Sequence, residues 1–212
     1  VQTVSNDAQG NVTFAKVKFS QAGDYVYKIK EVNNAVPGVT YDEAELTANV
    51  KVVDENGEKK ELFATQFESH HAREVFPCVD EPEAKATFEL EITALKNLEI
   101  LANTEILHQT ENGSSKTIKF KPTPRMSTYL LAFVLGDFQR KTAETKSGVK
   151  VSVLATKAHD SELLNFPLDF AVRVLEFYER LFDQKFPLSK CDHLALPDFS
   201  SGAMENWGLI TY

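Results

Sequence analysis

Apolar and polar positions alternate in short runs over most of the chain, and each run is broken by a turn signal. Val12, Phe14, Val17 and Phe19 fall near period two, with a slip at Ala15–Lys16 that reads as a bulge. Tyr25, Tyr27 and Ile29 alternate with Val26, Lys28 and Lys30, the pattern of a half-buried strand. Phe88, Leu90 and Ile92 share one face of a further strand whose other face carries Thr87, Glu89, Glu91 and Thr93. The same reasoning predicts strands over 46–53, 62–67, 98–102, 117–121, 129–138 and 149–155. The longest apolar run, 129–135, has the length of a buried strand. Asn56-Gly57, Asn112-Gly113 and Ser147-Gly148 supply the turns between them. Between 70 and 86 the pattern is irregular, and Pro77 and Pro82 exclude a helix there.

The period then changes once. Ala171, Val174, Leu175, Tyr178, Leu181 and Phe182 recur at helical spacing and form one apolar stripe, which predicts a helix over 168–184. Pro167 sits where a first-turn proline is tolerated. Asp169–Arg173 and Glu176–Arg180 are acid-before-base pairs four residues apart on its polar side. The stripe reads as core packing. A short strand over 194–196 and an apolar run over 207–212 follow, separated by Ser200-Ser201-Gly202.

Composition narrows the function without naming it. The 212 residues are 42% hydrophobic and 25% charged, an ordinary globular balance long enough to bury a core. Twenty-three basic against 31 acidic residues give a net charge of −8, which argues against nucleic acid and anionic membranes and favours a cationic ligand. No apolar run approaches the ~18 residues of a membrane helix. Cys78 and Cys191 form no C-x-x-C pair and read as buried, reduced thiols. The chain opens on Val1 and stops inside an apolar run at Tyr212, so both ends read as cut from something longer.

Two stretches carry more specific information. Gly202-Ala203-Met204-Glu205-Asn206, between Leu196-Pro197-Asp198-Phe199 and Trp207-Gly208-Leu209-Ile210-Thr211-Tyr212, resembles the exopeptidase motif of the aminopeptidase N family of zinc-dependent gluzincins. Ala64 to Arg73, followed by Phe76-Pro77-Cys78-Val79-Asp80-Glu81-Pro82, resembles that family's amino-terminal domain where it reaches the active site. The resemblance implies a mainly β fold: a saddle-like antiparallel β-sandwich over 58–148, then the opening α+β part of a thermolysin-like catalytic domain over 149–212. It implies peptide substrates with a free amino terminus, whose α-ammonium needs carboxylates beside the scissile bond. By the same resemblance Glu205 and Glu68 supply those carboxylates and Gln66 lines the pocket for the first residue. Gly202 and Ala203 are small enough for the backbone to lie along an extended substrate, and Met204 and Asn206 complete the substrate-binding segment.

The family's zinc is held by His-Glu-x-x-His on one helix and a later glutamate. His70, His71, His108, His159 and His193 are followed by His, Ala, Gln, Asp and Leu, so none opens that motif. The resemblance therefore implies zinc in the full-length enzyme, with no catalytic or metal-binding residue in this chain and no turnover by the chain alone. His70 and His71 are adjacent on a segment that reads as extended, which sends them to opposite faces. The stripe on the helix and the run over 207–212 imply self-association through faces left without partners.

Residues 1–57 resemble something else. Gln2 to Asp7, Ala22 to Glu31 and Gly38 to Asp42 look like part of a Gram-positive pilin or adhesin sandwich, the kind that forms Lys–Asn isopeptide bonds with a buried glutamate at the place of Glu31. That gives a rival reading, a cell-surface β-sandwich module, with a join near 54–58. The peptidase reading implies a cytoplasmic enzyme, the rival a surface protein.

Overall fold

The computed structural model describes residues 5, 23–30, 45–55, 58–197, 199 and 202–212. In chain order these form β1 (Gly23–Lys30), β2 (Glu45–Glu55), β3 (Glu58–Ala64), β4 (Glu91–Leu95), β5 (Glu99–Ala102), β6 (Ile106–Asn112), β7 (Ser115–Phe120), β8 (Phe133–Gly136), β9 (Phe138–Glu144), β10 (Lys150–Thr156), α1 (Asn165–Phe182), β11 (Lys190–Leu194) and β12 (Leu209–Thr211). They build three sheets, ordered β1-β2-β3-β8-β5, β4-β7-β6 and β9-β10-β11-β12. The first two are antiparallel throughout. In the third, β9 and β10 are antiparallel, whereas β10, β11 and β12 run parallel.

Alternation along β5 and β8 explains the layering. Ile100 and Ala102 pack with Ile118 and Phe120 of β7, and Phe133 and Leu135 join them from β8. Leu101 and Val134, the intervening residues, face the other way and pack with Leu154, Leu194 and Leu209 of the third sheet. A strand buried on both faces reads as a continuous apolar run, which is what 98–102 shows. On the far side of the third sheet Val153 and Ala155 meet Leu164 and Leu168. The order of layers is therefore β4-β7-β6, then the five-stranded sheet, then the third sheet, then α1.

The run over 129–138 is not one strand. A 3₁₀ turn at Thr128–Leu130 interrupts it, and the chain changes sheets between Gly136 and Phe138. The turn forms because the hydroxyls of Ser127 and Thr128 reach across to the 80–82 loop, donating to the Pro82 carbonyl at 2.5 Å and to Asp80 Oδ1 at 2.5 Å. Apolar runs report burial and are silent on such ties. The strand expected from residue 87 begins at Glu91, with Phe88 and Leu90 continuing alongside through their carbonyls. The strand β6 has every residue exposed, so it left no apolar period to read. The strand expected over 194–196 lies at Lys190–Leu194.

Helix α1 occupies its expected place, and Asp169 pairs with Arg173 at 3.5 Å. Glu176 takes another partner, accepting from the Lys146 backbone N–H at 3.0 Å, while Glu179 accepts from Ser147 Oγ at 3.0 Å and from the Phe186 N–H at 2.9 Å. Glu176, expected to pair within the helix, instead joins Glu179 in docking it onto the β9–β10 turn. Its apolar side is poorly covered: Phe166, Phe170, Tyr178, Leu181 and Phe182 are all largely exposed.

The five-stranded sheet crosses the boundary drawn at residue 57. Strand β2 pairs with β3 through Glu55↔Glu58, and β3 pairs with β8. The strand expected around Val12 to Phe19, the Asn56-Gly57 turn and Glu31 lie outside the described residues.

Candidate functional site

The Gln66–Glu68 stretch leaves β3 where Thr65 is pinned to β8. Thr65 N–H donates to the Phe133 carbonyl at 3.2 Å, and Phe133 N–H donates to Thr65 Oγ1 at 3.0 Å. From that fixed point the side chains alternate: Gln66 and Glu68 are exposed and Phe67 is buried. The Glu68–Ser69 peptide bond is cis. The chain then turns, with His71 N–H donating to the Phe67 carbonyl at 3.0 Å.

That turn corrects the expectation for the two histidines. The segment is not extended, and the rings of His70 and His71 stack with centroids 4.8 Å apart. Their outer partners are Ser69 Oγ, 2.7 Å from His70 Nδ1, and Glu74 Oε1, 2.7 Å from His71 Nδ1.

Asp80 holds the next part of the wall. It is 5% exposed, accepts from the Arg73 N–H at 3.1 Å and from Thr128 Oγ1, and lies 3.4 Å from Arg73 Nε. Burial alone would raise its carboxyl, but the Thr128 hydroxyl and the Arg73 donors outweigh it and hold the group below the usual carboxylate range.

The second acid sits on the connection between β11 and β12, at the carboxyl end of the parallel strands. There Met204 pairs with Thr211 in antiparallel fashion, N–H to carbonyl at 2.8 Å and back at 3.2 Å. Alternation recurs: Gly202, Ala203 and Glu205 are exposed, whereas Met204 and Asn206 are buried. Asn206 closes the loop, its carbonyl accepting from Leu209 N–H at 3.1 Å and its side chain lying 3.4 Å from Thr211 Oγ1. In an antiparallel bridge the flanking residues turn their N–H and C=O groups to the opposite edge. Gly202, Ala203 and Glu205 accordingly make no backbone hydrogen bond among the described residues.

The two segments meet through their inward residues. Phe67 and Met204 belong to one apolar cluster, with Ala72, Met126, Leu130 and Leu131. Glu68 and Glu205 are the next residues outward from that shared core. Neither has an ion-pair or hydrogen-bond partner among the described residues. Of the residues expected at the site, Gln66, Glu68, Gly202, Ala203 and Glu205 are open to solvent, whereas the side chains of Met204 and Asn206 face the interior.

Sequence reasoning missed the residues that hold the loop in place. Asn103, 2% exposed, donates through Nδ2 to the carbonyls of Leu130 and Trp207, both at 2.8 Å, and accepts from Ala132 N–H at 2.8 Å. Lys190 Nζ donates to the carbonyls of Ala102 at 2.8 Å and Gly208 at 2.7 Å, and pairs with Asp192 Oδ2 at 2.7 Å. Burial lowers the Lys190 ammonium from its ordinary range, opposed by Asp192. The only signal was a charged Lys190-x-Asp192 alternation at the start of an apolar strand.

Two cavities lie elsewhere. A crevice of about 500 Å³ along β5, between β6–β7 and β9–β11, is lined by Glu99, Lys116, Arg140, Lys150 and Asp192 among others. An apolar groove of about 580 Å³ separates α1 from β10–β12 and is lined by Phe170, Val174, Tyr178, His193 and Tyr212 among others. There His193 Nδ1 lies 2.8 Å from the Tyr212 hydroxyl, and burial pushes the Cys191 thiol up to about 11, which removes it as a nucleophile near neutral pH. Both cysteines are free; Cys191 is buried and Cys78 is half-buried.

Among the described residues no three His, Cys, Asp or Glu side chains are grouped to hold a metal ion. No helix among them is long and apolar enough to cross a membrane.

The Peptidase M1 N-terminal domain profile matches residues 39–130, and the Peptidase family M1 domain profile matches 166–212. An aminopeptidase N of Lactococcus lactis subsp. cremoris is 48% identical over 202 residues, covering 89% of this chain and 23% of the relative. An aminopeptidase N of Lactobacillus helveticus is 52% identical over 161 residues, 74% of this chain and 18% of the relative. A puromycin-sensitive aminopeptidase of Caenorhabditis elegans is 45% identical over 161 residues, 75% of this chain and 17% of the relative. The chain thus spans about a quarter or less of the length of these relatives. The N-terminal profile starts at 39, inside the segment that resembled a pilin sandwich, and none of these matches supports the pilin reading.

Proposed function

The chain belongs to peptidase family M1, and on that premise we propose that it is the amino-terminus-recognition part of a zinc-dependent aminopeptidase. In the intact enzyme Glu68 and Glu205 accept the N–H groups of one substrate α-ammonium and so set which peptide bond is presented for cleavage. The open backbone edge at Gly202 and Ala203 pairs with the extended substrate, and Gln66 lines the space for its first side chain. Met204 and Asn206 serve from the inside, one by packing against Phe67 and its neighbours, the other by closing the loop. Zinc belongs to the intact enzyme and is held outside the described residues; these residues bind and orient. The β-domain extends to about residue 148, and the catalytic domain begins at about 149.

One observation carries this reading. Phe67 and Met204 share a core, and the acids beside them both face solvent without an ion-pair partner among the described residues. Exposed carboxylates of that kind suit a cationic ligand, and the net charge of −8 favours its approach.

The test compares hydrolysis of a dipeptide with a free amino terminus and of its N-acetyl form by the intact enzyme. A hydrogen bond to a charged group contributes about 1.5–3 kcal/mol, so Glu205→Gln and Glu68→Gln should each lower kcat/KM on the free amine by about tenfold or more. Equal rates on the acetylated and free substrates would overturn the proposal.

A further inference from the structure

The two acids stand on different sheets, and something must fix the distance between them. Glu68 is tied through Phe67 and Thr65 to β8. Glu205 precedes Asn206, Trp207 and Gly208 on a loop whose backbone ties, Met204 to Thr211 and the Asp192 N–H to the Gly208 carbonyl at 3.0 Å, both lie within the third sheet. The link between the sheets is made by two adjacent residues at the end of β5. Asn103 joins the Leu130 carbonyl and the Ala132 N–H, just before β8, to the Trp207 carbonyl. Lys190 joins the Ala102 carbonyl to the Gly208 carbonyl.

The Trp207 carbonyl, two positions after Glu205, is thus held by Asn103, and the Gly208 carbonyl, one position further, by Lys190 and by the Asp192 N–H. Lys190 has three N–H donors, and its three acceptors (Ala102, Gly208 and Asp192) use all of them. The approach is close: a Cβ at Gly208 would lie 2.1 Å from the Asn103 carbonyl oxygen. We infer that Asn103 and Lys190 are positioning residues for the carboxylate pair, clamping the Glu205 loop to the sheet that carries Glu68.

The inference rests on the ammonium-binding reading, and one experiment separates the two. In the intact enzyme, inhibition is measured with a dipeptide bearing a free α-amine and with its des-amino analogue, and the ratio of the two inhibition constants reports ammonium recognition. The variants are Lys190→Met, which keeps length and loses the donors, and Asn103→Asp, which keeps the acceptor for Ala132 and loses the donors to Leu130 and Trp207. Each should reduce the preference for the amine by tenfold or more, with the des-amino analogue bound as in wild type. A merely structural role would weaken both compounds in parallel, and that result overturns the inference. So does a full amine preference in both variants, or failure of both to fold, since a positioning clamp leaves the cores intact. Glu205→Gln is the control. If it abolishes the preference while the clamp variants retain it, the inference falls alone. If Glu205→Gln itself retains the preference, the ammonium reading falls and the inference with it.

Discussion

At Gly208 the lack of a side chain decides whether the loop after Glu205 can dock. Its φ is +74°, and a Cβ would meet the Asn103 carbonyl and the Leu188 side chain. Gly208→Ala adds a strained left-handed residue to a clash with main chain, so it should cost at least about 2 kcal/mol. Thermal or urea unfolding measures that; a change within about 0.5 kcal/mol would show that the loop can relax. Asp80 makes a different kind of prediction. Its carboxyl is held below its ordinary value of 3.8, so its stabilisation is present above that pH and lost as pH falls through the lower folded value. Asp80→Asn should therefore be less stable at neutral pH by about 2 kcal/mol, and the gap should close in strong acid. A gap that stayed constant as the pH fell would mean that Asp80 acts by shape rather than charge. Both residues stand in stretches that the sequence flagged. Their roles were illegible, because a hydrogen bond between residues 80 and 128 leaves no trace in local periodicity.

Among the elements, those whose apolar positions recur at a regular period were legible and those without such a period were not. Helix α1 and the strands β1, β2, β5, β7 and β10 follow from period and turn residues. Strand β6 was invisible because solvent surrounds all its side chains. The 129–138 run misled for the opposite reason: its residues are largely buried, and burial does not require one straight strand. The packing of α1 predicts an asymmetry in mutational cost. Leu164, 6% exposed, sits against Val153 and Ala155, and Leu164→Ala should cost about 2–4 kcal/mol. Phe170 is 57% exposed, and Phe170→Ser should cost no more than about 1 kcal/mol. Denaturant titration of the two variants checks the ordering. Equal costs would mean that the exposed face of the helix is covered in solution.

For the whole molecule, the layering supports two expectations at once. The three sheets share cores through β5 and β8, and a further cluster joins Phe67 to Met204 beneath the two acids. The outer face of α1 and the groove beside it present Phe166, Phe170, Tyr178 and Phe182 to solvent. An apolar face of that kind promotes association. Light scattering on the 212-residue chain should show self-association that Phe170→Ser with Phe182→Ser reduces; a monomer unaffected by these changes would contradict it. The positions of the two acids were the part of the candidate site most legible in the sequence, because both stand in long, specific motifs. The clamp beneath them was not, since Asn103 and Lys190 stand 87 residues apart and converge only in the fold. The central claim is that Glu68 and Glu205 act on one nitrogen. A double-mutant cycle on kcat/KM of the intact enzyme, using Glu68→Gln, Glu205→Gln and both together, tests it most directly. Two acids sharing one ammonium should be non-additive by about 1 kcal/mol or more. Costs that add to within about 0.5 kcal/mol would mean that they act at separate places and would contradict the claim.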